Sequence, residues 1–556
     1  MRNGDEHTPS GYVRPQLPPE GERNFRDDHP WDVRYRELDD EVLVEQARIP
    51  MRDGVELAAT VFRPKTGPAV PVVTTMTPYV KDRYDQWELF RDPPDGSVPG
   101  FFMGTVEISD HTPFEAPDPG YWVPQGYAVV LIDSPGRGKS GSNVDNPPSP
   151  NERWTDALKW IGEQGWSTGS VGMSGVSALC ITQWIAAKEA PPELKAIIPW
   201  EGFNVRGPGG GYGGIPEVGF GKWLAWQWLE PSLNPEAAGP EPEAFAWDFD
   251  LQAIDVPALV CASFSDQELH TWDTLEAFNK MKSEQKWLFS HRRQKWGAYY
   301  GSAELQLQER FFRRFLKGEE AAMDGVAPVR IEVNVDRESY RVVEDDAWPL
   351  TGTTYRELHL DANGKALSTT PMSEEGAASF RATPEVEQDN RAVFDYRFDE
   401  SADIVGYMAL ELWIEVEGAD DADLFVGVEK LDANGDEVYF FSSSGGNPNG
   451  PVARGWLRAS KRKLNESESE LGHPVLSFDE DLPVREGEPI RVVIPIMPSG
   501  TRFLAGETLR LVVQSWSAAG QWDGAEAKEW KTIDKGTVRL LTGGSHDSRL
   551  HLPEVP

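Results

Sequence analysis

The stretch from Gly169 to Ala187, Gly-Ser-Val-Gly-Met-Ser-Gly-Val-Ser-Ala-Leu-Cys-Ile-Thr-Gln-Trp-Ile-Ala-Ala, constrains the fold more than any other. A short apolar run meets Gly175 and Ser177 and passes at once into helix-forming residues, the pattern of a buried strand, a tight turn and a helix start. A serine at such a turn exposes its hydroxyl, and its neighbouring amide lies at the positive end of the helix. Ser177 is therefore expected to be a nucleophile of acyl transfer. Ser174, in Gly-x-Ser-Gly, competes with it. Neither serine fits Gly-x-Ser-x-Gly: Ser177 has Gly175 before it but Leu179 two positions after, and Ser174 has Val176 there. Ser174 falls inside the strand, where packing would bury its hydroxyl, so Ser177 is preferred.

The flanking chain reads as alternating strands and helices. Strands are expected at 42–50 and 55–63 around the Met51-Arg-Asp-Gly54 turn, at 70–77, 127–133 and 196–200, at 256–264 stopping before Asp266, and at 285–290 ending at His291. Helices are expected at 154–162, 271–281 and 303–316. Such alternation predicts an α/β class with a mostly parallel sheet. Residues 80–122 and 203–250 lack clear strand-and-helix periodicity and read as insertions forming a largely helical cap, which includes the Trp-rich run 218–229. At 556 residues the chain needs more than one domain. An extended or disordered arm is expected over 1–40 and the catalytic domain over 41–325. From 326 to 556 the texture turns to strands and turns, with Asn363-Gly364 and Asn434-Gly435 as hairpin signals, predicting an all-β sandwich of jelly-roll type.

Several chemistries are disfavoured. A formal charge of −37 opposes nucleic acid, and plain solubility and salt adaptation both stand as readings of that acidity. Ser134-Pro-Gly-Arg-Gly-Lys-Ser-Gly141 resembles a phosphate loop, but Asp133 stands where that motif needs its first glycine. Asp432-Ala-Asn-Gly-Asp436 lacks the spaced acidic ligands of a calcium loop. The nine His make no zinc motif, and Cys180 and Cys261 read as buried thiols, so neither metal nor cofactor is expected. No run approaches the roughly 20 apolar residues of a membrane span, and the first residues lack an apolar leader; the expected compartment is the cytoplasm.

A hydrolytic triad in the chain order Ser, Asp or Glu, His, each at a strand end, is met by Ser177, Asp266 and His291. His291 is expected to take the Ser177 proton and Asp266 to orient the imidazole. A helix N-cap is the bland reading of Asp266, with Glu268 in reserve.

Met51-Arg-Asp-Gly54, Thr77-Pro-Tyr79, Gly172-Met-Ser-Gly-Val-Ser177, Pro199-Trp-Glu-Gly202, Phe264-Ser-Asp266, His291 and Gly455-Trp-Leu-Arg-Ala-Ser460 together resemble the cocaine esterase/NonD group of serine hydrolases, relatives of the bacterial Xaa-Pro dipeptidyl-peptidases. The resemblance implies an α/β-hydrolase domain with an inserted helical cap and a C-terminal jelly roll. It also implies that Tyr79 donates its phenol to an oxyanion hole beside the Ala178 amide. Where the group has Ser-Tyr-x-Gly, this chain has Ser177-Ala-Leu-Cys180, a pocket wall removed. The expected substrate is a small carboxylic ester or amide, with dipeptidyl-peptidase or acylase activity as the alternative. A non-catalytic carbohydrate-binding protein is the rival of another class. The oligomeric state, homodimer included, is left open.

Overall fold

A computed structural model describes residues 32–91, 104–143, 149–202, 212–217, 250–383, 389–442, 449–517 and 530–556. The chain divides into two compact units, one of 1–205 and 221–328, the other of 206–220 and 329–556.

The first unit is built on strands β1 (Asp32–Arg36), β2 (Val42–Pro50), β3 (Glu56–Pro64), β4 (Val70–Thr77), β5 (Thr105–Ser109), β6 (Ala128–Asp133), β7 (Ser167–Val176), β8 (Leu194–Trp200), β9 (Ala258–Ser263) and β10 (Lys286–His291). Eight of them form one sheet in the order β2-β3-β6-β4-β7-β8-β9-β10. The β2–β3 and β3–β6 pairs are antiparallel and the rest parallel. β6 and β9 are buried along their whole length, which is why they read as continuous apolar runs with no alternation. The register aligns the carboxyl ends: Thr77 pairs with Asp133, Val176 with Trp200, Trp200 with Cys261, and His291 with Ser263. Side chains just beyond these strands therefore meet along one edge, where open parallel sheets place ligands.

The helices follow their caps. Ser149 and Glu152 form a reciprocal capping box on Pro150–Gly162, and Gly318, at φ 71°, ends Ser302–Lys317. The arm expected over 1–40 is partly a strand, since β1 pairs in parallel with β5 inside the expected 80–122 insertion. Residues 1–31 and most of the 203–250 cap, the Trp-rich 218–229 run included, lie outside the described residues.

The described part of the glycine-rich run, 212–217, belongs to the second unit. Gly213 accepts from the Arg458 amide at 2.8 Å, Pro216 from the Lys531 amide at 2.9 Å, and Tyr212 stacks on Trp456. A Cβ on Gly213 would stand 2.0 Å from the Trp456 carbonyl oxygen, so only glycine allows this approach. The unit is otherwise β-rich. Its long strand Ala402–Glu417 runs antiparallel to Ile490–Phe503, and Asp423–Leu431 lies between Ala453–Arg458 and Thr508–Gln514. Leu410, Leu412, Val426, Ile494, Leu511 and Leu540 fill its core. Both Asn-Gly pairs turn hairpins. The Asp432 carboxylate is spent on the Asn434 and Asp436 amides, in keeping with a turn. No helix among the described residues is long and apolar enough to cross a membrane.

Candidate active site

β7 ends at Val176, and the helix Ala178–Glu189 begins one residue later. Ser177 joins them at φ 55° and ψ −115°, a conformation that costs an L-residue about 1–3 kcal/mol and persists only where the surroundings impose it. They do so here. The Ser177 amide donates to the Trp200 carbonyl at 3.0 Å, the Val176 amide to that of Glu115 at 3.1 Å, and the Ser177 carbonyl accepts from Cys180 and Ile181. The small residue missing at position 179 is supplied from the loop after β8. A Cβ on Gly202 would lie 2.2 Å from the Ser177 carbonyl oxygen and 2.3 Å from the Cys180 Cβ. Gly202→Ala is thus expected to displace the turn and cost at least about 100-fold in kcat/KM, since misplacing a reacting group by about 1 Å does so; steady-state kinetics on the folded variant check this.

Ser174 is fully buried, its hydroxyl 2.8 Å from that of Tyr299, as expected for a strand interior. Ser177 is only part-buried, and its Oγ lies 3.3 Å from the Nε2 of His270. His270 precedes the helix Thr271–Lys280 and is held by a turn in which the Leu269, His270 and Thr271 amides all donate to the Asp266 carbonyl.

The other expected partners stand elsewhere. The Asp266 carboxylate, fully buried, forms an ion pair with the buried ammonium of Lys295. His291, also fully buried, accepts from the Arg293 amide at Nδ1 (3.0 Å) and places Nε2 3.1 Å from Glu201 Oε1. With Nδ1 accepting from the backbone, Nε2 is the ring nitrogen left on the Glu201 side. No hydrogen bond joins His291 to Ser177 or to Asp266 among the described residues. The imidazole brought to Ser177 is therefore His270. His270 follows Asp266 in the same loop after β9, so the order Ser, Asp, His admits it as readily as His291; it stands at a helix start and not at a strand end, and its approach to Ser177 is a tertiary contact.

Tyr79 follows β4, is nearly buried, and has its ring edge-on to Phe114 at 5.2 Å. Burial, reinforced by the Glu115 carboxyl, pushes its phenol well above the ordinary value. Ala178 opens the elbow helix, where an amide has no intrahelical acceptor. Burial likewise raises the Cys180 thiol, keeping it neutral beside the turn.

Glu201, Cys261 and His291 bring one ligand atom each within 4.8 Å of one another, a donor set that linear spacing could not reveal. Glu201 is already engaged by His291 and by the Ser263 hydroxyl at 2.5 Å. Glu217 lies in the second unit and bridges to Trp530.

Comparison with known proteins matches residues 53–241 to the X-Pro dipeptidyl-peptidase (S15 family) model and 321–551 to the X-Pro dipeptidyl-peptidase C-terminal non-catalytic domain. A crystal structure of a CocE/NonD family hydrolase from Staphylococcus aureus superposes with a TM-score of 0.82 at 34% identity, over 93% of this chain and 94% of that one. The chain belongs to the CocE/NonD hydrolase family. Within that family's wider circle it is 28% identical to the cocaine esterase of Rhodococcus sp. (strain MB1 Bresler), over 58% of this chain and 63% of that protein. It is 30% identical to a putative Xaa-Pro dipeptidyl-peptidase of Bacillus cereus, over 29% of this chain and 30% of that protein. The matched region thus spans less than two thirds of either curated relative. The CocE/NonD fold with its C-terminal β-rich domain agrees with the two units.

Proposed function

We propose that this chain is a serine hydrolase that cleaves small carboxylic esters through an acyl-enzyme on Ser177. The observation that carries the reading is Ser177 at a strained strand-to-helix turn with an imidazole 3.3 Å from its hydroxyl. The parallel strand order and β7–turn–helix geometry support an α/β-hydrolase scaffold. The paired antiparallel strands of the second unit support a jelly roll.

Ser177 Oγ attacks the ester carbonyl while His270 Nε2 takes its proton. The developing oxyanion is met by the Ala178 amide and the Tyr79 phenol. The proton returns to the leaving alcohol, and water repeats the sequence on the acyl-enzyme. Tyr79→Phe is expected to lower kcat for p-nitrophenyl butyrate by about 100- to 1,000-fold with a smaller change in KM, the effect of losing one oxyanion donor; an unchanged kcat would remove Tyr79 from the site.

A second reading keeps Asp266 and His291 as the acid–base pair, favoured by their positions just beyond β9 and at the end of β10. It requires His291 to leave Glu201 and Asp266 to leave Lys295. Ester cleavage is preferred to dipeptidyl-peptidase or acylase activity, because a substrate with a free α-ammonium needs an available carboxylate, and Glu201 is engaged by His291 and Ser263. Comparing p-nitrophenyl butyrate with a Gly-Pro anilide separates the two. Fluorophosphonate labelling of Ser177 tests the class itself: no adduct on folded protein would return the chain to a non-catalytic binding role.

A further inference from the structure

We propose that Glu115 is a positioning residue for the oxyanion donor, turning the Tyr79 O–H toward the substrate carbonyl or away from it according to its own protonation. The inference rests on the hydrolase reading above and deepens it. Glu115 is fastened to the elbow, because its carbonyl accepts from the amide of Val176, the residue before the nucleophile, at 3.1 Å. Its backbone takes φ 65°, a left-handed conformation unusual for a non-glycine residue, as Ser177 does. The side chain is buried and accepts from the Trp296 indole at 3.3 Å through Oε1, its Oε2 is buried with no hydrogen-bond partner among the described residues, and the adjoining Phe114 ring packs edge-on against Tyr79 at 5.2 Å, which sets the carboxyl in the electrostatic reach of that phenol.

A carboxylate has only acceptors, so an ionised Glu115 takes the phenolic hydrogen for itself. A carboxylic acid has a hydrogen to give; it donates to the Tyr79 oxygen and leaves the phenolic hydrogen for the oxyanion. Burial raises Glu115 to about 8, with Lys295, Trp296 and Tyr79 pulling the other way and Asp266 adding to the rise. The titratable groups around it are Lys295 and Tyr299 on the helix Lys295–Tyr299, Tyr300 just beyond it, Asp266 after β9, Cys180 on the elbow helix and Tyr79 after β4. Burial works against the Lys295 charge, yet Asp266 and Glu201 hold that lysine above its ordinary range. It therefore stays charged and paired with Asp266 throughout the interval in which Glu115 titrates. The buried phenols and the Cys180 thiol are all raised and stay neutral there.

The test is kcat and KM for p-nitrophenyl butyrate from about pH 6 to about pH 10, with fluorophosphonate labelling in parallel, on the full-length wild type, Glu115→Gln and Trp296→Phe. Wild-type kcat is expected to fall above a midpoint of about 8, approaching tenfold per pH unit, with KM moving little. Glu115→Gln, whose amide does not titrate in this range and can give a hydrogen to the phenol while its oxygen accepts from Trp296, is expected to lose this alkaline fall. Trp296→Phe removes a donor that favours the carboxylate and should move the fall to higher pH, which keeps the idea testable if the glutamine variant does not fold. An alkaline fall unchanged in either folded variant, or an active wild type without one, overturns the Glu115 assignment alone. A wild type that is unlabelled at every pH overturns the hydrolase reading and this inference with it.

Discussion

Ser177→Ala is expected to lower turnover of an activated ester by about 10⁴- to 10⁶-fold, the range seen when a serine hydrolase loses its nucleophile but keeps its oxyanion site. The fold should survive. Among the described residues the Ser177 side chain makes one hydrogen bond, to His270, whereas the turn is held by backbone bonds to Trp200, Cys180 and Ile181. Burst kinetics with p-nitrophenyl butyrate, together with a thermal melt, measure both effects. Ser174→Ala supplies the contrast. It removes a buried hydroxyl bonded to Tyr299 and should cost about 1–3 kcal/mol of stability while turnover by the folded protein persists. The reverse pattern would move the nucleophile to Ser174.

The two histidines should separate as clearly. His270→Ala is expected to cost about 10³- to 10⁴-fold in kcat, because among the described residues no other proton acceptor bonds to Ser177 Oγ. His291→Ala empties a fully buried site flanked by Trp200 and Phe289 and takes a partner from Glu201 and from the Arg293 amide. Its expected signature is a loss of about 2–5 kcal/mol in unfolding free energy, with kcat of the folded fraction reduced far less than in His270→Ala. Denaturant titrations paired with rates per labelled active site give both quantities. Should His291→Ala abolish turnover in a fully folded protein and His270→Ala leave it, the base is His291, and the Glu201 contact belongs to a resting arrangement.

Much of the architecture was legible before any coordinates, and the reason is local. Buried parallel strands such as Ala128–Asp133 and Ala258–Ser263 must be continuously apolar, and amphipathic helices such as Ser302–Lys317 must repeat near every third or fourth residue. Where those periods are absent the local sequence carries no such signal. β1, Asp-Val-Arg-Tyr-Arg, has little apolar pattern and reads as part of a loose arm; its order comes from pairing with Thr105–Ser109, some seventy residues away. The glycines near 213 read as part of a cap, yet the described ones are there to let backbone approach backbone at Trp456 in the β-rich unit.

The sequence alone determined the strand–turn–helix at Ser177, the sheet that ends there, and the preference for Ser177 over Ser174. These depend on residue types a few positions apart, which fix backbone geometry and burial directly. Tertiary structure decided which imidazole meets the hydroxyl, which carboxyl is buried beside the elbow, and which glycine makes room for the turn. Gly202 and His270 follow β8 and β9, whose carboxyl ends the parallel register aligns with that of β7, whereas Glu115 follows β5, outside that sheet, and reaches the elbow through its carbonyl, which accepts from the Val176 amide. Such contacts depend on distances of a few ångströms between residues far apart in the chain, and linear spacing carries no record of them.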